Sequence, residues 1–188
     1  MFKNKGESFE IIDHEGIDNL LSEKTLGTYL KGSGLRRFGI VVDADTDLAA
    51  RWQRVSDILK SAGYTTIPVR PQQEGTILRE EESPVVGIWL MPDNTVPGMI
   101  EHLMSLLRPD NDVLWPIAEN VVQTVADTEC RFPSTQMAKA YIHTWLAWQK
   151  EPGKPMGQAI TAHYLNADAS HAQQLIAWIR KLFDLELA

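Results

Sequence analysis

The chain of 188 residues has a single cysteine, Cys130. That excludes an internal disulfide and any zinc site built on cysteine pairs. Cationic charge is also scarce, with 18 Lys and Arg against 25 Asp and Glu for a net charge of −7. A basic coat for nucleic acid is therefore not expected, because counterion release needs clustered lysine and arginine. Long hydrophobic runs are missing. A stretch such as Pro84 to Met91 is far too short to cross a bilayer. The segment Met1-Phe2-Lys3-Asn4-Lys5-Gly6-Glu7 has no apolar core of a secretory signal, so a cytoplasmic location without membrane contact is expected. Internal repeats, a Gly-x4-Gly-Lys-Ser/Thr phosphate loop, a Gly-x-Ser-x-Gly elbow and histidines at metal-binding spacing are all absent. What remains is ordinary globular composition, 44% hydrophobic and 23% charged, which excludes general disorder.

Charge and pattern divide the chain. Residues 1–130 carry 12 basic and 21 acidic side chains; residues 131–188 carry 6 and 4. We read 1–130 as an α/β core and 131–188 as a helical C-terminal extension packed on it. Phe9 to Asp13, Phe38 to Val42, Tyr64 to Val69 and Val85 to Met91 read as strands. The continuous apolar runs among them suit parallel strands buried on both faces. Helical spacing appears over Ile17–Lys31, closed by Gly32-Ser33-Gly34, and over Leu48–Ala62, with Ala49, Trp52, Val55, Ile58 and Leu59 inward. Pro71 to Ser83 is polar and turn-rich, with Gly75 at a turn. Further helices are expected over Gly98–Leu107, Asp112–Asp127, Ser134–Lys150 and Ala169–Leu182, with a Gly/Pro-rich loop over Glu151–Ile160. Alternating strands and helices predict a doubly wound, mostly parallel sheet flanked by helices.

In such sheets ligands bind beyond the carboxyl ends of the strands. One strand runs into Asp43-Ala44-Asp45 and another into Pro92-Asp93, with Glu101 in the helix that follows. Carboxylates that converge repel one another unless a cation sits among them. Hard oxygen ligands in this number suit Mg²⁺ or Mn²⁺. Asp43, Asp45, Asp93 and Glu101 are thus the candidate metal ligands, with Asp43 and Asp45 as the catalytic pair. The plain alternative is that these aspartates are turn residues and helix caps. Asp47 fits that role at the start of its helix. Lys139 and Lys154 could supply a protein cation for a phosphate, or be two solvated lysines. His143 lies on an aromatic-rich helix and reads as a core histidine. Trp145 or Trp148, if exposed, could stack on a base. An Asp-x-Asp phosphatase nucleophile is disfavoured, since Asp47 stands where that pattern wants Thr or Val.

The segment Gly39-Ile40-Val41-Val42-Asp43-Ala44-Asp45-Thr46-Asp47, with Arg51-Trp52 after it, resembles the Asp-x-Asp strand of Toprim domains. Trp89-Leu90-Met91-Pro92-Asp93-Asn94, Gly98-Met99-Ile100-Glu101, Lys139 to Ala147 and Pro152 to Ala159 resemble an uncharacterised bacterial Toprim-like family. The resemblance spans roughly residues 9–183. It implies a Toprim-like sheet and, as in topoisomerases, primases and related nucleases, a Mg²⁺ held by Asp43 and Asp45 for phosphodiester cleavage or phosphoryl transfer. Asp93 and Glu101 would be helpers. Toprim domains also begin with a strand ending in Glu-Gly. Here Glu15-Gly16-Ile17-Asp18 only echoes that motif, one residue short in spacing, so the chain reads as lacking the first strand–helix unit and its general base. The expectation is a Mg²⁺-dependent, nuclease-like protein that is degenerate or incomplete as an isolated chain. The alternative is a non-catalytic Toprim-like module that binds a protein partner or nucleic acid. A sheet edge left open by the missing strand would pair with another chain or a second copy.

Overall fold

In the computed structural model, residues 9–31 and 36–185 are described. Strand β1 (Arg37–Asp43) pairs in parallel with β3 (Val85–Met91), and β2 (Thr76–Leu78) joins the far edge of β3 antiparallel. The order is β1-β3-β2. The sheet is therefore small and mixed, where a longer, mostly parallel one was expected. Two of the expected strands are not strands. Phe9 to Asp13 has no ladder partner, and Phe9 instead stacks on Phe183 at 4.9 Å. Tyr64 to Val69 is irregular because its donors are engaged elsewhere. The Glu80 carboxylate accepts from the N–H groups of Thr65 at 2.7 Å and Thr66 at 2.9 Å, and from the Thr65 hydroxyl. The strand that does form, β2, is only three residues long and lies inside the turn-rich stretch.

Those hydrogen bonds, Thr66 N–H first, hold the Glu80 carboxyl below its usual value near 4.5. A carboxylate with a depressed folded-state pKa lends stability above its unfolded pKa and loses it as pH falls through the folded one. Glu80→Gln is thus expected to lower stability at neutral pH, with the loss relative to wild type shrinking as pH falls below about 4.5, so that its acid limb is flatter. Urea denaturation from pH 7 to pH 3 checks this; identical acid limbs for both proteins would refute it.

Helices cover both faces of the sheet. Helices α1 (Ile17–Leu20), α2 (Glu23–Lys31) and α3 (Leu48–Ser61) share one core with Ile40, Val42, Val86, Ile88 and Leu90. Helices α4 (Ile100–Leu106), α5 (Trp115–Glu129), α6 (Met137–Ala147), α7 (Met156–Ala159) and α8 (Ser170–Phe183) share the other with Trp89 and Met91. The alternation along β3 is the period-two rule of a strand buried on both sides. The long helix expected over 17–31 breaks at Ser22, whose hydroxyl accepts the Thr25 N–H at 3.1 Å and so starts α2 afresh. The Gly32-Ser33-Gly34 stop lies outside the described residues. On α3 the inward set is Trp52, Val55, Ser56 and Leu59, and Ala49 is exposed instead.

The C-terminal segment is integral to this sandwich. Helix α6 packs on α4 and α5, on the other side of residue 130, and α8 lies directly on the sheet. That contact depends on glycine. A Cβ on Gly87 would stand 2.5 Å from Leu182, and one on Gly75 2.1 Å from Trp178. Arg37 closes the same contact, bonding the Leu182 carbonyl at 2.8 Å and pairing with Asp184. Among the described residues, no helix is long and apolar enough to cross a membrane.

Candidate functional site

The site forms where β1 and β3 end side by side, with Asp43 paired to Met91 in the register. The chain leaves β1 through a turn tied to the β3–α4 connection. Ala44 N–H donates to Met91 O at 3.1 Å and Asp45 N–H to Gly98 O at 2.7 Å. Asp45 adopts the left-handed region at φ 61°, which aspartate tolerates better than most residues. Asp47 then caps α3, accepting from Ala50 N–H at 2.9 Å, as expected from its position.

Asp43, Asp45 and Glu101 are brought together. Asp43 Oδ1 accepts from Ile100 N–H at 2.9 Å, which places the carboxylate against the first turn of α4 beside Glu101. The residue keeps solvent on one side. Even so, partial desolvation of its carboxyl raises the pKa of Asp43. Repulsion from Glu101 and then Asp45 adds to this, against the Ile100 N–H and Arg51. Each neighbour also has a cation. Arg51, from the first turn of α3, reaches Asp45 Oδ2 at 3.4 Å. Lys139, from α6, reaches the buried Glu101 carboxylate at 3.7 Å.

The other candidates do other work. Asp93 Oδ1 accepts from Thr95 N–H at 2.9 Å, the Thr95 hydroxyl at 2.8 Å and Val96 N–H at 3.2 Å. It is a turn former, the plain role weighed for these aspartates. Lys154 pairs with Glu151 at 3.2 Å within its own loop. Lys139 is a counter-ion to Glu101. His143 is exposed, contrary to the core reading, because Ile142, Trp145 and Leu146 take the inward face of α6. Trp145 is buried and its indole donates to Asp112, so it is no stacking platform; Trp148 is the exposed one.

Sequence reasoning missed a groove of about 690 Å³ that starts at Asp45 and Thr46. It runs past Met99 and His102 to Arg108 and Tyr141. The Arg108 guanidinium lies over the Trp115 ring at 4.6 Å. His102 Nδ1 accepts the Met99 N–H at 3.1 Å, which leaves its Nε2 to carry the proton of the neutral ring. Nothing local in the sequence signals this groove, since its walls come from α4, α5, α6 and the loops between them.

Residues 2–184 match a family described as a protein of unknown function, DUF3226. The chain belongs to that family. No curated protein and no solved structure matches it significantly. In this DUF3226 chain the donor set itself defines the chemistry available at the site. Among the described residues, no three His, Cys, Asp or Glu side chains form a ready-made metal cage. The oxygen donors nevertheless suit a hard cation that keeps most of its water. Asp43 uses one oxygen on Ile100 and Asp45 one on Arg51, so each retains another.

Proposed function

We propose that this chain is a Toprim-like protein that binds Mg²⁺ or Mn²⁺ on Asp43 and Asp45, with Glu101 in support, to engage a nucleic-acid phosphodiester. The observation that carries this reading is the approach of Glu101 and Asp45 to the Asp43 carboxylate, whose pKa is raised first by partial desolvation and then by their repulsion, with Asp45 also lining the groove. A bound cation would relieve that repulsion and offset the charge of a phosphate oxygen in the transition state. Asp43 is oriented by the Ile100 N–H, and Asp45 by its Gly98 pairing and by Arg51. Arg51 and Lys139 balance the cluster when no cation is present. Asp93 is left out of the proposed donor set, because the carboxylates that act on Asp43 are Glu101 and Asp45, while Asp93 holds its own turn through Oδ1.

The same two ion pairs favour the second reading, a non-catalytic module that binds nucleic acid or a protein partner without cleaving. A strong general base beside the cluster would have to come from outside it, since Glu101 is paired and Asp43 and Asp45 are proposed ligands.

Asp43→Asn separates these readings. A raised carboxyl pKa means that folding loses stability as pH rises from the unfolded value of 3.8 through the folded one. Asn keeps an acceptor for Ile100 N–H and removes the repulsion. The variant is therefore expected to melt higher than wild type at pH 7, with the difference vanishing near pH 3. Saturating Mn²⁺ should raise the wild-type melting temperature and leave that of Asp43→Asn unchanged. Nicking of supercoiled DNA by wild type in Mn²⁺, lost in the variant, supports the cleaving reading; metal binding without nicking supports the module. Wild type indifferent to Mn²⁺ by melting and calorimetry would remove the metal site altogether.

A further inference from the structure

Cations withdrawn from water in this chain have carboxylate partners, with one exception. Among the described residues four Lys and Arg are half-buried: Arg37, Arg51, Arg108 and Lys154. Arg37 pairs with Asp184, Arg51 with Asp45 and Lys154 with Glu151. Arg108 pairs with no described carboxylate. Its guanidinium is nevertheless held in place. It lies over the Trp115 ring at 4.6 Å, and its Nη1 donates to the Ser105 carbonyl. No other described residue accepts from it, which leaves most of its five N–H donors unused by the protein. A cation that gives up water is stabilised by an anion, and this chain has 25 Asp and Glu against 18 Lys and Arg to supply one. Glu119 even lines the same groove, but it is exposed and does not pair with Arg108. The anion that fits Arg108 is therefore one that arrives with a ligand.

The groove joins this cation to the acidic cluster. It begins at Asp45 and holds about 690 Å³, the size of a site for a small ligand. His102 lines it too, and its Nε2–H has no acceptor among the described residues. Five residues of α4 separate Ile100, whose N–H holds Asp43, from Ser105, whose carbonyl holds Arg108. The two ends thus stand about 10 Å apart. Two phosphates on neighbouring nucleotides can serve both ends, one met by a cation on Asp43 and Asp45 and the other by the guanidinium. A lone phosphate cannot.

We propose that Arg108 is a second phosphate subsite, which takes the phosphate one nucleotide away from the phosphodiester at Asp43 and Asp45. A guanidinium fixed by an aromatic ring is suited to bidentate binding of a phosphate. The ligand is then a single strand with at least two phosphates, and the nucleoside between them lies against Met99, Leu106 and Met137. This inference rests on the metal-held phosphodiester proposed above; it adds the length of the substrate and the residue that reads it.

Calorimetry on the full chain in Mg²⁺ tests this with two thymidine oligonucleotides, TpT with one phosphodiester and TpTpT with two. Wild type should bind TpTpT about tenfold more tightly, the magnitude of a charge-assisted hydrogen bond. If the oligonucleotides are cleaved, the same ratio is read from kcat/KM. Arg108→Gln should lose the gain, so that the two ligands become equal. Because the ratio is taken within one protein, a smaller folded fraction of Arg108→Gln does not change it. Arg108→Lys, which keeps the charge without the fork, should keep part of the gain. A wild type that binds the two ligands equally, or neither, overturns the proposal. So does an Arg108→Gln variant with an undiminished gain. Thymidine diphosphate, whose phosphates adjoin, should bind more weakly than TpTpT; equal or tighter binding would give the groove to a free nucleotide and overturn the strand. The metal reading fails separately, through a melting temperature that Mn²⁺ does not move, whatever the phosphate count does.

Discussion

Gly75→Ala should destabilise the protein by about 3 kcal/mol, the sum of overpacking and of a non-glycine residue forced into the left-handed region. Gly75 has φ 84°, and its Cβ would fall 2.1 Å from Trp178 Cδ1 and 2.6 Å from Cγ. The indole has little room to retreat. It is buried against Trp89, with ring centroids 5.6 Å apart, and its Nε1 donates to Thr76 O at 3.4 Å. Moving it would lift α8 from Gly87 and disturb the short β2 strand. For a domain of this size the expected shift in melting temperature is about 10 °C. A double-mutant cycle identifies the cause. Trp178→Leu alone should also cost about 3 kcal/mol through the cavity it leaves. In that background, however, Gly75→Ala should cost only the backbone strain, about 1 kcal/mol. Additive costs in urea denaturation would mean that the indole is not what the methyl strikes.

Asp112→Ala should cost about 2–4 kcal/mol, for a reason that has nothing to do with packing volume. One oxygen of this side chain accepts from Leu114 N–H at 2.9 Å, Trp115 N–H at 2.8 Å and the indole N–H of Trp145 at 2.9 Å. It closes the start of α5 and joins that helix to α6. Trp145 is fully buried, so its N–H would lose its partner without gaining water. Asp112→Asn, which keeps the oxygen, should recover most of the loss. In a Trp145→Phe background the alanine substitution should cost measurably less, since the orphaned donor is gone. Equal costs in the two backgrounds, measured by urea denaturation, would show that the indole bond adds nothing.

The parts of the fold that sequence reading located are those with strong local signals. Phe38 to Val42 and Val85 to Met91 are unbroken apolar runs, and both are strands. Asp47 stands directly before a helical period, and it caps α3. The failures were equally local in cause. Phe9 to Asp13 and Tyr64 to Val69 have strand composition but no strand to pair with, and Glu80 takes the donors of the second. Strand β2 is too short, and too deep in a turn-rich stretch, for alternation to show. The helix over 17–31 kept its apolar spacing through Ser22, so the cap that divides it was hidden in the pattern. His143 was misplaced because aromatic neighbours say that a helix has a core face without saying which residues occupy it.

The site divides in the same way. Residue types and spacing singled out Asp43, Asp45 and Glu101, because carboxylates at a strand end and a helix start are a chemical signal in themselves. Asp93, of the same type, turned inward on its own loop, as the Thr-Val after it permits. Composition and hydrophobic period alone determined that this chain buries an α/β core and presents acids at one end of β1. Only the tertiary structure decided which acids meet, that Arg51 and Lys139 neutralise them, and that Arg108 and Trp115 wall a groove beside them. Those are contacts between residues far apart along the chain, set by how helices seat on a sheet, and no local pattern encodes a distance across the sheet.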